Sequence, residues 1–560
     1  MSASPNVDDS QSEHPNVLAS ATADKKCVDF VSHLPWEIVK CNIVPRILGE
    51  GRPVFRLHRP CPYLDHLFHY EARPMRSGGI DKRIRTVAPY IKTLSMTWYN
   101  DKSMGIHLKC DTLVALTKLT IRVSGSQGAL LQLLDISPNL THMDIFYVAD
   151  IDTRLSIFEL LDRCPKLIRL SLLLPGNAIM DTTTTRHGRT YDTITHLQAI
   201  CEDHNKNGTF SPLIQRLPNL RLLSLKYLSS LPAWGIRQHQ CQKLQQLYMS
   251  SPTMTYDVHD EVQCEDESPG LRVLSFDGRY DMGYIANIMI RHSATLESLV
   301  FQEHTYFNTS TTRSWANRDI QFNQLRSLSY ENGTQRAFID FMNWIIDHAP
   351  NLRSVETIHG AMQRHHLNST LRERPLQRIG FYSTYTEQPS EHQFIQHHVQ
   401  LGAGSHLQEI KCTFYDYILN DSWVALIPRL TELKTIELCF HDDAEVDGLD
   451  AFIQQVANGC IGLEKVIMKA FEFPYHYDWI RPLAEHPNLQ ELIIEKEDDT
   501  SANLMLGVNH DIPYDLLIAL ESFTHLKTLH LKYDISNWDR VFALKRKVPT
   551  LMYTERYDPI

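Results

Sequence analysis

Most of what would give this chain a chemistry is missing from it. Its 560 residues include 11 cysteines, but none pair as CxxC and none stand at zinc-finger spacing. Neither a thiol–disulfide exchange centre nor a structural zinc site is encoded. The odd number and the scatter from Cys27 to Cys460 fit reduced thiols and predict a cytoplasmic or nuclear location. No basic run exceeds Leu544-Lys545-Arg546-Lys547-Val548, and the formal net charge is −11, which argues against nucleic acid as a partner. No unbroken apolar stretch reaches the roughly 18 residues of a membrane span, so no membrane association is expected. The polar opening MSASPNVDDSQSEHPNV lacks the apolar core of a secretory signal.

Catalytic signatures are lacking too. There is no GxSxG, no Gly-rich phosphate loop, no GxGxxG and no HExxH, so no enzyme and no cofactor are predicted. The 28 histidines cluster at His365–His366 and at His392, His397 and His398. Their spacing is not that of a helical metal pair, so they are expected on a solvated helix or loop and no metal site is predicted. His441, Asp442, Asp443 and Asp447 follow a strand-like segment and read as an exposed acidic loop.

What the sequence has in abundance is one short pattern, apolar-x-x-apolar-x-apolar. It opens at Ile91, Leu116, Leu140, Leu167, Leu220, Leu244, Leu271, Leu296, Leu325, Leu352, Leu376, Leu407, Leu433, Leu463, Leu489 and Leu526. Most steps are 24 to 31 residues, with two wider intervals, Leu167 to Leu220 and Leu489 to Leu526. The wider intervals carry DTTTTRHGRTYD and EKEDDTSANLMLGVNHD and read as surface loops or degenerate repeats. Numbering each pattern from its first apolar residue, positions 4 and 6 share one side of a strand by the two-residue period. Positions 3, 5 and 7 face the other way. Between the strands, SIFELLDRCPKL, AFIDFMNWIIDHAPNL, DAFIQQVANGCIGL and YDLLIALESFTHL space their apolar residues as helices do. The prolines of RCPKL, RLPNL, HAPNL and EHPNL stop each helix before the next strand. Cys164 and Cys460 fall in these segments and read as small core fillers.

One strand and one helix cannot cover such side chains alone, so neighbouring units must stack; each buried leucine contributes roughly 1.5–3 kcal/mol. A helix is wider than a strand, which predicts a curved array with strands inside. These residues resemble the leucine-rich-repeat family, specifically its ribonuclease-inhibitor-like class, over about Ile91 to Leu531. The resemblance implies an α/β solenoid, strands concave and helices convex. One departure stands out: the family's LxxLxLxxN asparagine is replaced by Leu228, Pro252, Arg279 or His304, which predicts irregular turns.

Ahead of the repeats lies Leu34-Pro35-Trp36-Glu37-Ile38-Val39, which reads as a helix start with proline and glutamate in the first turn. It resembles the LPxEI opening of an F-box, a small helical module that fungal proteins of this kind combine with such repeats. That resemblance implies docking onto the Skp adaptor of a cullin-type ubiquitin ligase through Leu34, Pro35, Ile38 and Val39. The match frays where Asn42 and Ile43 replace an apolar pair and Pro45 interrupts the helix. The resulting division is a tail at 1–29, an F-box-like helical module at 30–75 and a solenoid at 76–560.

On the face away from the core, positions 3, 5 and 7 mix charges and aromatics, which suits a protein partner. Arg122, Phe146, Lys226, Tyr248, Asp277, Glu331 and Tyr382 are the expected target contacts. The predicted function is substrate recognition within a Skp–cullin–F-box ligase. The alternative is a ligase-independent binding scaffold with a degenerate F-box.

Overall fold

The structure is a computed structural model that describes residues 70–72, 92–98, 113–123, 127–147, 154–174, 179–181, 189–201, 211–226, 241, 243–251, 270–302, 306–308, 320–330, 336–357, 369–383, 389–414, 422–440, 448–470, 477–496, 512–533 and 538–553. Leu34, Pro35, Ile38 and Val39 lie outside the described residues, as does most of the 30–75 span. The chain divides into two units, one formed by residues 1–220 with 235–241, the other by 221–234 with 242–560.

In the first unit the strands are β1 (Tyr70–Ala72), β2 (Thr93–Trp98), β3 (Lys118–Val123), β4 (His142–Tyr147), β5 (Arg154–Ser156), β6 (Arg169–Leu174), β7 (Ile179–Asp181) and β8 (His196–Cys201). Strands β1, β2, β3, β4, β6 and β8 pair side by side, all parallel. Among the described residues the sheet therefore begins at Tyr70, ahead of residue 76. Position-4 residues Leu94, Leu119, Met143, Leu170 and Leu197 meet in register, and all five are buried. The helices α1 (Gln127–Asp135) and α2 (Ile157–Arg163) and the single turn α3 (Ser211–Ile214) lie between strands.

The second unit continues the grammar with β9 (Leu222–Lys226), β10 (Gln246–Ser251), β11 (Val273–Asp281), β12 (Ser298–Phe301), β13 (Tyr306–Asn308), β14 (Ser327–Tyr330), β15 (Ser354–Thr357) and β16 (Arg378–Ser383). It ends with β17 (Glu409–Phe414), β18 (Thr435–Phe440), β19 (Lys465–Ala470), β20 (Glu491–Lys496), β21 (Thr528–Lys532) and β22 (Thr550–Tyr553). Leu223, Leu247, Leu274, Leu299, Leu328, Val355, Ile379, Ile410, Ile436, Val466, Leu492 and Leu529 stand Cα to Cα in one row. Every member is buried. The returns are α4 (Met282–Arg291), α5 (Arg336–Asp347), α6 (Ser369–Arg372), α7 (Pro389–Leu401), α8 (Leu449–Gly459), α9 (Arg481–Ala484), α10 (Tyr514–Leu520) and α11 (Trp538–Lys547). The return before β18 is a 3-10 helix, Val424–Arg429, with Pro428 inside it. Proline cannot donate to an α-helical ladder, which favours this shorter form.

Helices pack on the side of positions 4 and 6. Phe301 of β12 meets Phe338 and Phe341 of α5 at 5.8 and 6.3 Å between centroids. Phe381 of β16 meets Phe394 of α7 at 6.0 Å and Trp423 at 5.2 Å. This layering of parallel strands over helical returns is the architecture of a leucine-rich-repeat solenoid. Cys164 and Cys460 cap α2 and α8 and are buried, as their placement in the sequence suggested.

The start of each strand is more regular than the missing asparagines imply. The carbonyl at position 2 accepts two N–H groups from the following repeat. Lys92 O takes those of Thr117 and Lys118 (2.8 and 3.0 Å), Arg326 O those of Arg353 and Ser354 (2.9 and 2.8 Å), and Gln408 O those of Lys434 and Thr435 (2.8 and 2.9 Å). An asparagine does serve between repeats, but just before position 1. Asn139, Asn219, Asn351 and Asn488 donate Nδ2 to Val114, Asp192, Asn323 and Ile461 carbonyls at 2.7, 2.7, 2.9 and 2.8 Å. The PNL triplets thus combine a helix stop, a carbonyl clamp and a core leucine.

The wide interval after Leu167 holds a full repeat, with Ile194, Leu197 and Ala199 buried and β8 paired to β6. A further repeat follows at Val548, Leu551 and Tyr553, with β22 on β21. At Gly278, φ is +112°, a conformation that side chains other than glycine rarely adopt. This kink lets the second half of β11 leave the main sheet and pair with β13. It also turns Tyr280 inward, where its hydroxyl donates to the Met249 carbonyl at 2.9 Å.

Leu223 is fully buried at the first place of the second unit's row. Replacing it with alanine is expected to cost about 2–5 kcal/mol, read as a lowered midpoint in denaturant melts. A loss below about 0.5 kcal/mol, typical of a surface site, would remove Leu223 from the core.

Candidate functional site

The side chains at positions 3, 5 and 7 form the solvent-facing side of each unit's sheet, and the two units use it differently. In the second unit the charges pair with one another. Glu356 of β15 binds Lys411 of β17 and lies 3.7 Å from Arg378 of β16. Arg378 also approaches Glu437 of β18 at 3.5 Å. Glu437 holds Lys469 of β19 at 2.9 Å, Lys469 reaches Glu495 of β20 at 3.9 Å, and Glu495 holds Lys532 of β21 at 2.7 Å. The result is an alternating chain of charges across seven strands.

Gly380 makes the first link possible. It stands at position 5 of β16, between Glu356 and Lys411 in the register. A Cβ there would sit 2.8 Å from Glu356 Cγ, so the glycine leaves the gap through which the two charges meet. Burial works against the carboxylate of Glu437, whose side chain is 11% exposed. The Lys469, Lys411 and Arg378 charges more than offset that, and its pKa lies below the ordinary value. Burial likewise opposes the charge on Lys411, and Glu356 raises its pKa above the usual lysine value.

In the first unit the row at position 3 differs. Position 3 lines up Lys118, His142, Arg169 and His196 across β3, β4, β6 and β8. Lys118 and Arg169 are exposed, and no carboxylate among the described residues pairs with either. Both histidines touch the neighbouring threonine hydroxyl, His142 with Thr141 at 2.9 Å and His196 with Thr195 at 2.8 Å. Position 7 lines up Arg122, Phe146, Leu173 and Ile200, Cα to Cα, all half-buried. The two rows are about 13 Å apart, four residues at about 3.3 Å each. Between them stand Thr120, Asp144, Ser171 and Gln198; the Thr120 hydroxyl donates to Asp144 at 3.3 Å.

Arg122 and Phe146 are thus neighbours. Lys226, Tyr248 and Asp277 fall on adjacent strands β9, β10 and β11. Lys226 stands opposite Ser250, whose hydroxyl donates to Asp277 at 2.8 Å, and the Tyr248 hydroxyl lies 3.4 Å from Gln246. Tyr382 lies in β16, opposite Thr413. Glu331 lies outside the described residues, as do His365, His366, His441, Asp442, Asp443 and Asp447. The periodicity located the face but missed Leu173 and Ile200. Both are aliphatic residues at outward positions, a place where an inspection for charge and aromaticity does not look.

One expectation is corrected. The histidines of α7 are not all solvated: His398 is buried at 2% exposure, with Nδ1 3.0 Å from the Ser405 hydroxyl. Burial, with His397 and His406 adding like charge, lowers its pKa to about 4. His292 is similar, lowered to about 4 by burial and by Arg291, and its Nδ1 accepts the Leu271 N–H at 3.3 Å. Burial pushes the thiols of Cys164 and Cys460 up to about 12, which leaves them protonated and unreactive near neutral pH. Among the described residues no group of three or more His, Cys, Asp or Glu side chains could hold a metal ion. Nor is any helix among them long and apolar enough to cross a membrane.

No family model matches the sequence, and no curated protein matches it. Among solved structures, the chain is similar to that of the TLR13–ssRNA13 complex, at 12% identity and a TM-score of 0.41, over 90% of this chain and 68% of that one. It is also similar to the mouse RP105/MD-1 complex, at 13% identity and a TM-score of 0.29, over 84% and 73%. The fold itself is defined by the strand register described above.

Two measurements follow from this geometry. Glu437→Gln leaves Lys469 and Arg378 without their shared carboxylate and is expected to cost about 1–3 kcal/mol, since the group is largely buried. An unchanged thermal midpoint would show that the chain of charges adds no stability. His398 folds neutral, so its contribution is complete above the unfolded pKa of about 6.5 and is lost as pH falls through about 4, as much as about 3 kcal/mol. His398→Gln should therefore flatten the fall in stability between pH 7 and pH 4; an identical pH profile would contradict the burial of a neutral ring.

Proposed function

We propose that this chain is a non-catalytic scaffold that binds a protein partner on the solvent-facing side of its sheet. The first unit's surface supports this most: Lys118 and Arg169 are exposed, with no carboxylate partner among the described residues, on the same face as a half-buried apolar row. A surface that combines apolar anchors with charge of one sign is suited to a protein interface. The paired charges of the second unit suit a structural role better, because a partner would have to break existing ion pairs to use them.

The finer reading is a substrate-recognition subunit of a Skp–cullin–F-box ligase, in which Leu34, Pro35, Ile38 and Val39 hold the Skp adaptor while the repeats hold the target. Its support is the Leu34–Val39 stretch directly ahead of the repeats. The ligase-independent scaffold is the competing form, favoured by Asn42 and Pro45 where the module's pattern breaks down. Co-purification of the full chain with the Skp adaptor separates them. The ligase reading expects a complex that Leu34→Asp with Ile38→Asp abolishes. Equal recovery of wild type and variant would leave the scaffold alone.

A further inference from the structure

We infer that the first unit's sheet surface is a docking site for an acidic protein segment carrying aliphatic or aromatic side chains. This rests on the reading of the chain as a protein-binding scaffold and names the chemistry of the partner. Two rows on one rigid sheet carry the inference. At the start of the strands Lys118 and Arg169 are exposed and project without a carboxylate partner among the described residues. At the end of the strands Phe146, Leu173 and Ile200 stand in consecutive register on the outward side, each half-buried rather than covered. Outward positions of a sheet face water by default, so three apolar residues side by side there form a patch that gains from being covered.

The rows are about 13 Å apart, a separation that a single segment spans when its acidic and apolar side chains project to opposite edges. Carboxylates would lie over Lys118 and Arg169, and apolar side chains over Leu173 and its neighbours. Neither row serves alone. Two exposed cations give steering but little affinity, and the apolar row alone has no selectivity. A nucleic acid fits less well, because its phosphates would leave Phe146, Leu173 and Ile200 uncovered and the chain as a whole carries a net charge of −11.

The test is fluorescence anisotropy on the full chain with a labelled peptide of about 14 residues, glutamate and leucine in equal number. Matched glutamate–serine and lysine–leucine peptides and a uridine RNA of the same length serve as competitors. Saturable binding of the glutamate–leucine peptide is expected, weakening as salt rises, with each competitor at least about tenfold weaker. Arg169→Glu and Leu173→Ser should each weaken it at least about tenfold, with unchanged melting for the exposed Arg169→Glu. Lys166→Glu, a charge change on the turn where Lys166 binds Asn139, should have no effect. Equal binding of the lysine–leucine peptide, preference for the RNA, or equal losses in Arg169→Glu and Lys166→Glu would overturn the inference. If a partner crosslinked to the full chain stays bound to both Arg169→Glu and Leu173→Ser, this site is wrong while the scaffold reading stands.

Discussion

One shared carbonyl holds the architecture together. At position 2 of a repeat, a single oxygen accepts two successive N–H groups of the next repeat, and this bond pair recurs from Lys92 to Ile168 in the first unit and from Arg221 to Gln490 in the second. It fixes where each strand begins relative to its neighbour. A slip of one residue would turn every position-4 leucine to the solvent and every charged residue to the core. Because the bond pair forbids the slip, Leu223 and its counterparts become one buried row. Positions 3, 5 and 7 then become an ordered surface lattice. Both the core and the candidate binding surface follow from that one constraint.

The lattice also explains why the two units differ in character despite a common grammar. In a parallel sheet, residues at one position meet their equivalents on both neighbours, so opposite charges placed on successive strands pair by default. The second unit has such an alternation, and Gly380 extends it by letting Glu356 and Lys411 meet across an intervening strand. The first unit instead alternates cations with histidines at position 3 and places apolar residues on successive strands at position 7. Among the described residues Lys118 and Arg169 have no carboxylate partner, and Phe146, Leu173 and Ile200 stand side by side. Position within the repeat sets the direction of a side chain, but the residue one repeat away decides whether it is available.

Much of the fold was legible in the sequence because its determinants are local. Leu220, Leu223 and Leu225 declare a strand by spacing alone, and PNL declares its start. The hidden repeat at Ile194 was less visible: its strand follows a threonine-rich insert, and Ala199 is too small to stand out as a core residue. The asparagine clamps at Asn139 and Asn351 were in plain view, but their partners lie one repeat back, at Val114 and Asn323, a relation that only register reveals. The same limit applies to the surface. Arg378 binding Glu437 and Lys411 binding Glu356 skip a repeat, and no reading of one strand at a time finds them.

Amide hydrogen exchange tests the shared-carbonyl register most directly. The account predicts paired slow exchange at the two N–H groups that open each strand, such as Arg326 with Ser327, Arg353 with Ser354 and Lys434 with Thr435, repeating along the chain. Fast exchange at these pairs, or protection without that recurrence, would contradict it.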